Sequence, residues 1–253
     1  MQTVSFQLYS ARNFQPFSEV FRILANAGYS QVEGYGALYA SLDDAAIRKV
    51  KTDLDSNGLT MPTAHFGLDM LEGEPDRVLS ICRTFGIEAA YCPYLLPEHR
   101  PSDAEGWRAL GERLQEAGKP IRDAGMIFGW HNHDFEFFTL PDGTVPQDHI
   151  FAGGPDLMWE ADIAWIVRGG ADPFAWIKKY GDRITAVHVK DIAAKGENAD
   201  EDGWADVGHG TVPWPELARA LAGSPVKHYI VEHDNPKDLT RLATRSIATL
   251  KAF

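Results

Sequence analysis

At 253 residues the chain is long enough for one sizeable core, and its 24 Lys+Arg against 36 Asp+Glu give a net charge of −12 that argues against nucleic acid and anionic membranes as partners. Cys82 and Cys92 form neither a C-x-x-C pair nor a disulfide framework and read as buried reduced thiols. The amino-terminal run from Met1 to Ser10 has no basic or apolar leader and no stretch is long enough to cross a bilayer, so a soluble cytoplasmic protein is expected.

Short strand-like runs alternate with amphipathic helical patterns from one end to the other, the sign of parallel β/α units. Eight units are counted, which predicts an α/β fold, a (β/α)8 TIM barrel forming a single domain over 1–253. The predicted strands run from Val4 to Tyr9, Gln31 to Tyr35, Thr60 to His65, Glu88 to Pro93, Ile127 to His133, Leu157 to Asp162, Thr185 to Lys190 and His228 to Glu232. Helices are expected to begin near Pro16, Leu42, Pro75, Ser102, Gln147, Pro173, Pro215 and Lys237. Gly28, Gly58, Gly86 and Gly125 sit where helices should end, and Asp172-Pro173 reads as an N-cap followed by proline at the first helical position. The fifth unit is the least well marked, because the turn-like Pro141-Asp142-Gly143-Thr144 leaves little room for a helix before Leu157.

In such a barrel the active site lies at the carboxyl ends of the strands, so a polar group there carries more information than one in mid-helix. Glu33 ends the second strand and His65 the third, both within reach of a substrate. The segment Trp130-His131-Asn132-His133-Asp134-Phe135-Glu136 ends the fifth, where alternation puts His131 and His133 on one face. Asp162, His188 and Glu232 end the last three strands. His131, Asp162, His188 and Glu232 together suit a divalent ion, Mn²⁺, Co²⁺, Zn²⁺ or Mg²⁺, with positions left for substrate oxygens. His133 is the alternative ligand, in which case His131 is the base. Glu160 faces as Asp162 does but deeper, which fits charge balance, and Lys190 is either a catalytic group or the partner of an ion pair, with Glu160 for example. Trp165 offers a pocket wall, and the glycine- and tryptophan-rich loop from Gly203 to Trp214 suggests a lid in which Trp204 and His209 contact a sugar. Trp107 and Trp176 lie in helical patterns and read as core.

The runs Trp130 to Glu136, Glu160-Ala161-Asp162-Ile163-Ala164-Trp165, Val187-His188-Val189-Lys190-Asp191 and Val231-Glu232 resemble the xylose isomerase-like sugar isomerase and epimerase superfamily, over essentially the whole chain. The resemblance implies a (β/α)8 barrel with a divalent metal, often Mn²⁺, held by Glu, Asp, His and Glu from strands five to eight. Asp162, His188 and Glu232 match three of these, whereas His131-Asn132-His133 stands where relatives carry Glu-Asn-His. A two-glutamate epimerase mechanism therefore lacks one of its glutamates, and the His-x-His form is similar to inosose dehydratases and to relatives acting on 3-keto sugars.

The expected chemistry is proton removal next to a carbonyl, through an enediolate, by His131, His133 or Glu232, giving isomerisation or epimerisation of a keto sugar or related polyol. Loss of a β-hydroxyl instead would make the protein a lyase or dehydratase, and a metal-free sugar-binding barrel is the reading from another class. Trp faces and an acidic loop after strand seven predict a non-phosphorylated substrate, and a homo-oligomer is compatible with the chain.

Overall fold

Eight parallel strands close into a barrel: β1 (Thr3–Gln7), β2 (Gln31–Gly34), β3 (Thr60–His65), β4 (Ala89–Cys92), β5 (Ile127–His131), β6 (Met158–Asp162), β7 (Ile184–Val189) and β8 (His228–Val231). Each hydrogen-bonds its sequence neighbours, and β8 returns to β1 with Val4 opposite Tyr229, so the sheet has no edge. The computed structural model describes residues 3–252; Met1, Gln2 and Phe253, which the single-domain reading includes, lie outside it.

The helices begin and end where their local chemistry dictates. Asp43, Asp103, Asp172 and Asp238 each accept a backbone N–H of the turn that follows, at 2.8 to 2.9 Å. Gly28 closes the first long helix in the left-handed region at φ 99°, a conformation that costs glycine little. The poorly marked fifth unit does contain a helix, Pro146–Gly153. It fits because its backbone lies directly against the helix Ala104–Ala117: a Cβ on Gly111 would sit 2.1 Å from the Ile150 carbonyl oxygen, and one on Gly153 2.0 Å from that of Arg108.

The main core fills the space between sheet and helices, with Trp130, Trp159, Phe6 and Phe128 fully buried there. Inside the barrel a smaller apolar plug of Ala89, Tyr91, Ala186 and Ile230 closes the lower end, and Tyr91 and Thr185 share a hydrogen bond of 2.8 Å. Above this plug the barrel interior turns ionic.

Cys82 and Cys92 are free and buried, and burial pushes both thiols up to about 12. No helix among the described residues is long and apolar enough to cross a membrane. The loop after β7 is ordered by a two-stranded ribbon, Asp191–Ile192 against Trp204–Ala205. The Asp191 carboxylate accepts N–H bonds from Ile192, Gly208, Gly210 and Val212 at 2.8 to 3.2 Å. Arg241, on the last helix (Leu239–Leu250), ties the same loop down through Glu201 at 2.8 Å and Asp206 at 2.9 Å.

Candidate metal centre

The registers of β5 to β8 bring four ligand-type side chains together. Asp162 lies opposite His188 across β6 and β7, and His188 opposite Ile230, two residues before Glu232, across β7 and β8. One ligand atom from each of His131, Asp162, His188 and Glu232 falls within 4.8 Å of the others, and all four residues are buried. A second set of the same kind, His65, His131, Glu160 and His188, lies one layer deeper.

The strand ends are held in place by residues that sequence reading passed over. Asn132 staples β5 to β6: its Oδ1 accepts from Trp159 Nε1 at 2.8 Å and Asp162 N at 3.0 Å, and its Nδ2 donates to Asp162 O at 3.1 Å. Glu136 folds the chain back after β5, accepting from Trp130 Nε1 at 2.9 Å and His133 N at 3.0 Å. For this reason β5 stops at His131 and does not reach His133 as expected. His133 leaves the strand alternation and packs among Tyr94, Phe135 and Trp165, with Nδ1 buried and unpartnered. Asp162 also caps the short helix Ile163–Arg168 through Oδ1, 3.0 Å from Trp165 N, which fixes its carboxylate. Its other oxygen, Oδ2, is buried without a hydrogen bond.

The electrostatics fit a cation. Burial pushes Asp162 up to about 7 even though Lys190, 3.6 Å from its Oδ2, opposes the shift. Burial, reinforced by His188 and His65, holds His131 well below the ordinary histidine range, which keeps it a neutral imidazole able to ligate. For His188 burial is outweighed by Glu160, Glu232 and Glu33, and its pKa lies well above the usual value. His188 Nδ1 meets Glu232 Oε2 at 2.8 Å and Nε2 meets Glu33 Oε1 at 2.7 Å. A carboxylate oxygen without a hydrogen bond, a neutral imidazole and an imidazole–carboxylate pair in which a cation would replace a proton form a fitting donor set for a divalent ion. Burial and Lys190 hold His133 down at about 3, which leaves this candidate base weakly basic.

A family model described as a xylose isomerase-like TIM barrel matches residues 21–253. The chain belongs to this family. Among curated proteins it is similar to an inosose dehydratase of Clostridium beijerinckii, 30% identical over 92 residues, a segment covering 36% of this chain and 30% of that protein. Among solved structures it is similar to a sugar phosphate isomerase/epimerase from Parabacteroides distasonis, with a TM-score of 0.82, 21% identity and coverage of 99% of this chain and 94% of that one. A 3-keto-D-glucoside 4-epimerase from E. coli, in its apo form, superposes with a TM-score of 0.71 at 17% identity, covering 100% of both chains.

In this xylose isomerase-like barrel the cluster opens into a cavity of about 740 Å³ reached by His65, His131, His133, Trp165, Trp204 and Glu232. Glu33 and Lys190 lie buried beside it. The pair suggested for Lys190 and Glu160 does not form. Lys190 instead meets Asp234 at 2.7 Å, Glu232 at 3.2 Å and Asp162 at 3.6 Å, while Glu160 is taken up by imidazoles. Asp234, just past β8, and Gln7, which donates to Glu33 at 2.8 Å, were not anticipated; a polar side chain at or just past a strand end was the available signal. His209 does not join the site, because the glycine turn around it leaves it exposed and outside the cavity lining. Trp204 is 2% exposed, with the Arg168 guanidinium 3.2 Å and Lys190 Nζ 4.4 Å from its ring centre, so in this structure it forms a buried wall of the cavity that holds two cations.

Proposed function

We propose that this barrel is a divalent-metal-dependent enzyme that removes a proton next to the carbonyl of a non-phosphorylated keto sugar or related polyol and returns it, as an isomerase or epimerase. The observation that carries the reading is the convergence of His131, Asp162, His188 and Glu232 beside a cavity, with Asp162 Oδ2 buried and without a hydrogen bond. A metal there, Mn²⁺ by preference, would supply Lewis-acid polarisation of a carbonyl and its neighbouring hydroxyl. The protein's own groups then do the proton work. Glu232 reaches the cavity and stays ionised, since Lys190 and His188 outweigh its burial and hold its pKa well down, so it is the acceptor for the α proton. Lys190, protonated against three carboxylates, compensates the charge that develops beside it. His133, held neutral by burial and Lys190, adds an uncharged ring to the cavity wall.

A neutral substrate is supported by the charges around the cavity. Asp69, Asp202, Glu232 and Asp234 line it, while among the described residues Arg168 is spent on Asp202 O at 2.7 Å and on the Trp204 ring, and His65 on Glu33 and Glu160. Dehydration is the second reading, favoured by His131 at the strand-five position and by the similarity to inosose dehydratases.

Metal analysis of protein purified without chelator tests the proposal first, with about one divalent ion per chain expected. Incubation of neutral ketoses, inososes and 3-keto glycosides in deuterium oxide, alongside their phosphate esters, tests the chemistry. Deuterium should enter at the carbon next to the carbonyl, and a higher kcat/KM for any phosphate ester would overturn the substrate class.

A further inference from the structure

We propose that Glu160 is a positioning residue that sets which nitrogen of the ligand histidines faces the cation; the inference rests on the metal-centre reading above. Glu160 precedes Asp162 by two residues on β6, so it points the same way one layer deeper, and the β5–β6 register sets it opposite His131. One oxygen, Oε2, lies 3.0 Å from His131 Nδ1, 2.5 Å from His65 Nε2 and 3.3 Å from His188 Nε2. One carboxylate oxygen facing three ring nitrogens serves as their shared acceptor, and the nitrogen turned toward it on His131, which has no other hydrogen-bond partner among the described residues, carries the hydrogen. His131 is thereby held with its hydrogen on Nδ1 and its lone pair on Nε2, and His188 with its hydrogen on Nε2 and Nδ1 turned toward Glu232 and the cluster. Buried donors around a single oxygen leave each ring one orientation.

The two histidines differ in how far they depend on this residue. His188 Nε2 has a second and closer acceptor, Glu33 Oε1 at 2.7 Å. His131 has only Glu160 as a hydrogen-bond partner among the contacts of the described residues. Glu160 is thus the feature that makes a histidine serviceable at the strand-five position. Its negative charge, passed through an imidazole, stands in for a carboxylate ligand there.

The test uses the full-length protein labelled with ¹⁵N-histidine. Two-bond proton–nitrogen correlation spectra of the metal-free and zinc-loaded forms should show His131 protonated on Nδ1, and Glu160→Gln, which keeps shape but adds an amide donor, should abolish that preference. Zinc titration of Glu160→Gln should give an unchanged stoichiometry with affinity about 10- to 100-fold weaker. His131 protonated on Nε2 in the unsubstituted protein would overturn the proposal, as would unaltered affinity and tautomer in the variant. Complete loss of zinc in Glu160→Gln with retention in Asp162→Asn would make Glu160 a ligand of the deeper cluster instead. If the unsubstituted protein binds no zinc, the site reading fails, and the tautomer in the metal-free form still decides the role of Glu160.

Discussion

The two halves of the barrel are built for different tasks. The β5–β8 half ends in His131, Asp162, His188, Lys190, Glu232 and Asp234, whose charges compensate one another inside the barrel mouth. The β1–β4 half lines the same cavity with Tyr9, Tyr35, Ala37, Ala40, Met70 and Tyr94. Tyr9 packs edge-on to Tyr35 at 5.5 Å and is 37% exposed, and Tyr94 is 40% exposed. Buried charges demand fixed geometry because an unpaired one costs several kcal/mol, whereas exposed aromatic rings tolerate a change of neighbour. The contrast sets a mostly charged face against a mostly aromatic one along the cavity wall, with His65 and Asp69 as the charged residues that the β1–β4 half adds.

Substitutions in the charged half should have the largest effect. His188→Ala or Asp162→Asn is expected to lower metal affinity and kcat by more than about 100-fold, beyond the range for outer-layer partners. Metal content and single-turnover rates measure this, and full metal occupancy in both variants would dissolve the distinction between the halves.

His65, on β3, ties the halves together by meeting Glu33 at 3.2 Å and Glu160 at 2.5 Å. Burial opposes its charge, yet Glu33 and Glu160 outweigh burial and raise it from 6.5 to about 9. A histidine pKa raised on folding adds stability that is complete below pH 6.5 and is lost as pH rises through about 9. Metal-free protein should therefore lose up to about 3 kcal/mol of unfolding free energy over that window. Denaturant titrations should show His65→Phe with a flatter profile, and an equally steep profile in the variant would remove His65 as the tie.

Smaller effects are expected in the aromatic half. Tyr94→Ala should raise KM about 3- to 10-fold and leave kcat within about twofold, the pattern of lost uniform binding. A fall in kcat of the same size would place Tyr94 in the reaction itself. In the β5–β8 half, Arg168→Met, which removes the guanidinium from Trp204 and from Asp202 O, should raise KM by about two- to threefold. Near-ultraviolet circular dichroism of Trp204 provides an independent readout of that wall.

Much of this was legible in the sequence, and for a definite reason. The candidate cluster was visible because a polar residue at the end of an apolar strand has few structural excuses, and Asp162, His188 and Glu232 each stand at or next to that position. What alternation could not show was where β5 ends, since the chain turns on hydrogen bonds that Glu136 and Asn132 accept from Trp130 and Trp159 in two strands. The partner of Lys190 was hidden for a similar reason: Asp234 is 44 residues away and meets it only once the barrel closes. The short helices Gly36–Ala40 and Leu68–Gly73 that shape the aromatic rim span too few turns to print a periodicity. Trp204 and His209 share one loop, and only its fold decides that one is a wall and the other faces solvent.

The four amides gathered by Asp191 bear on how readily this rim opens. A glycine-rich rim would ordinarily exchange its amide hydrogens quickly and reorganise around each arriving molecule, yet here Gly208, Gly210 and Val212 are already bonded at 2.8 to 3.2 Å. Their hydrogens should exchange as slowly as those of the strands. Any opening of this loop must break these bonds, and hydrogen exchange at the three amides measures how often it does.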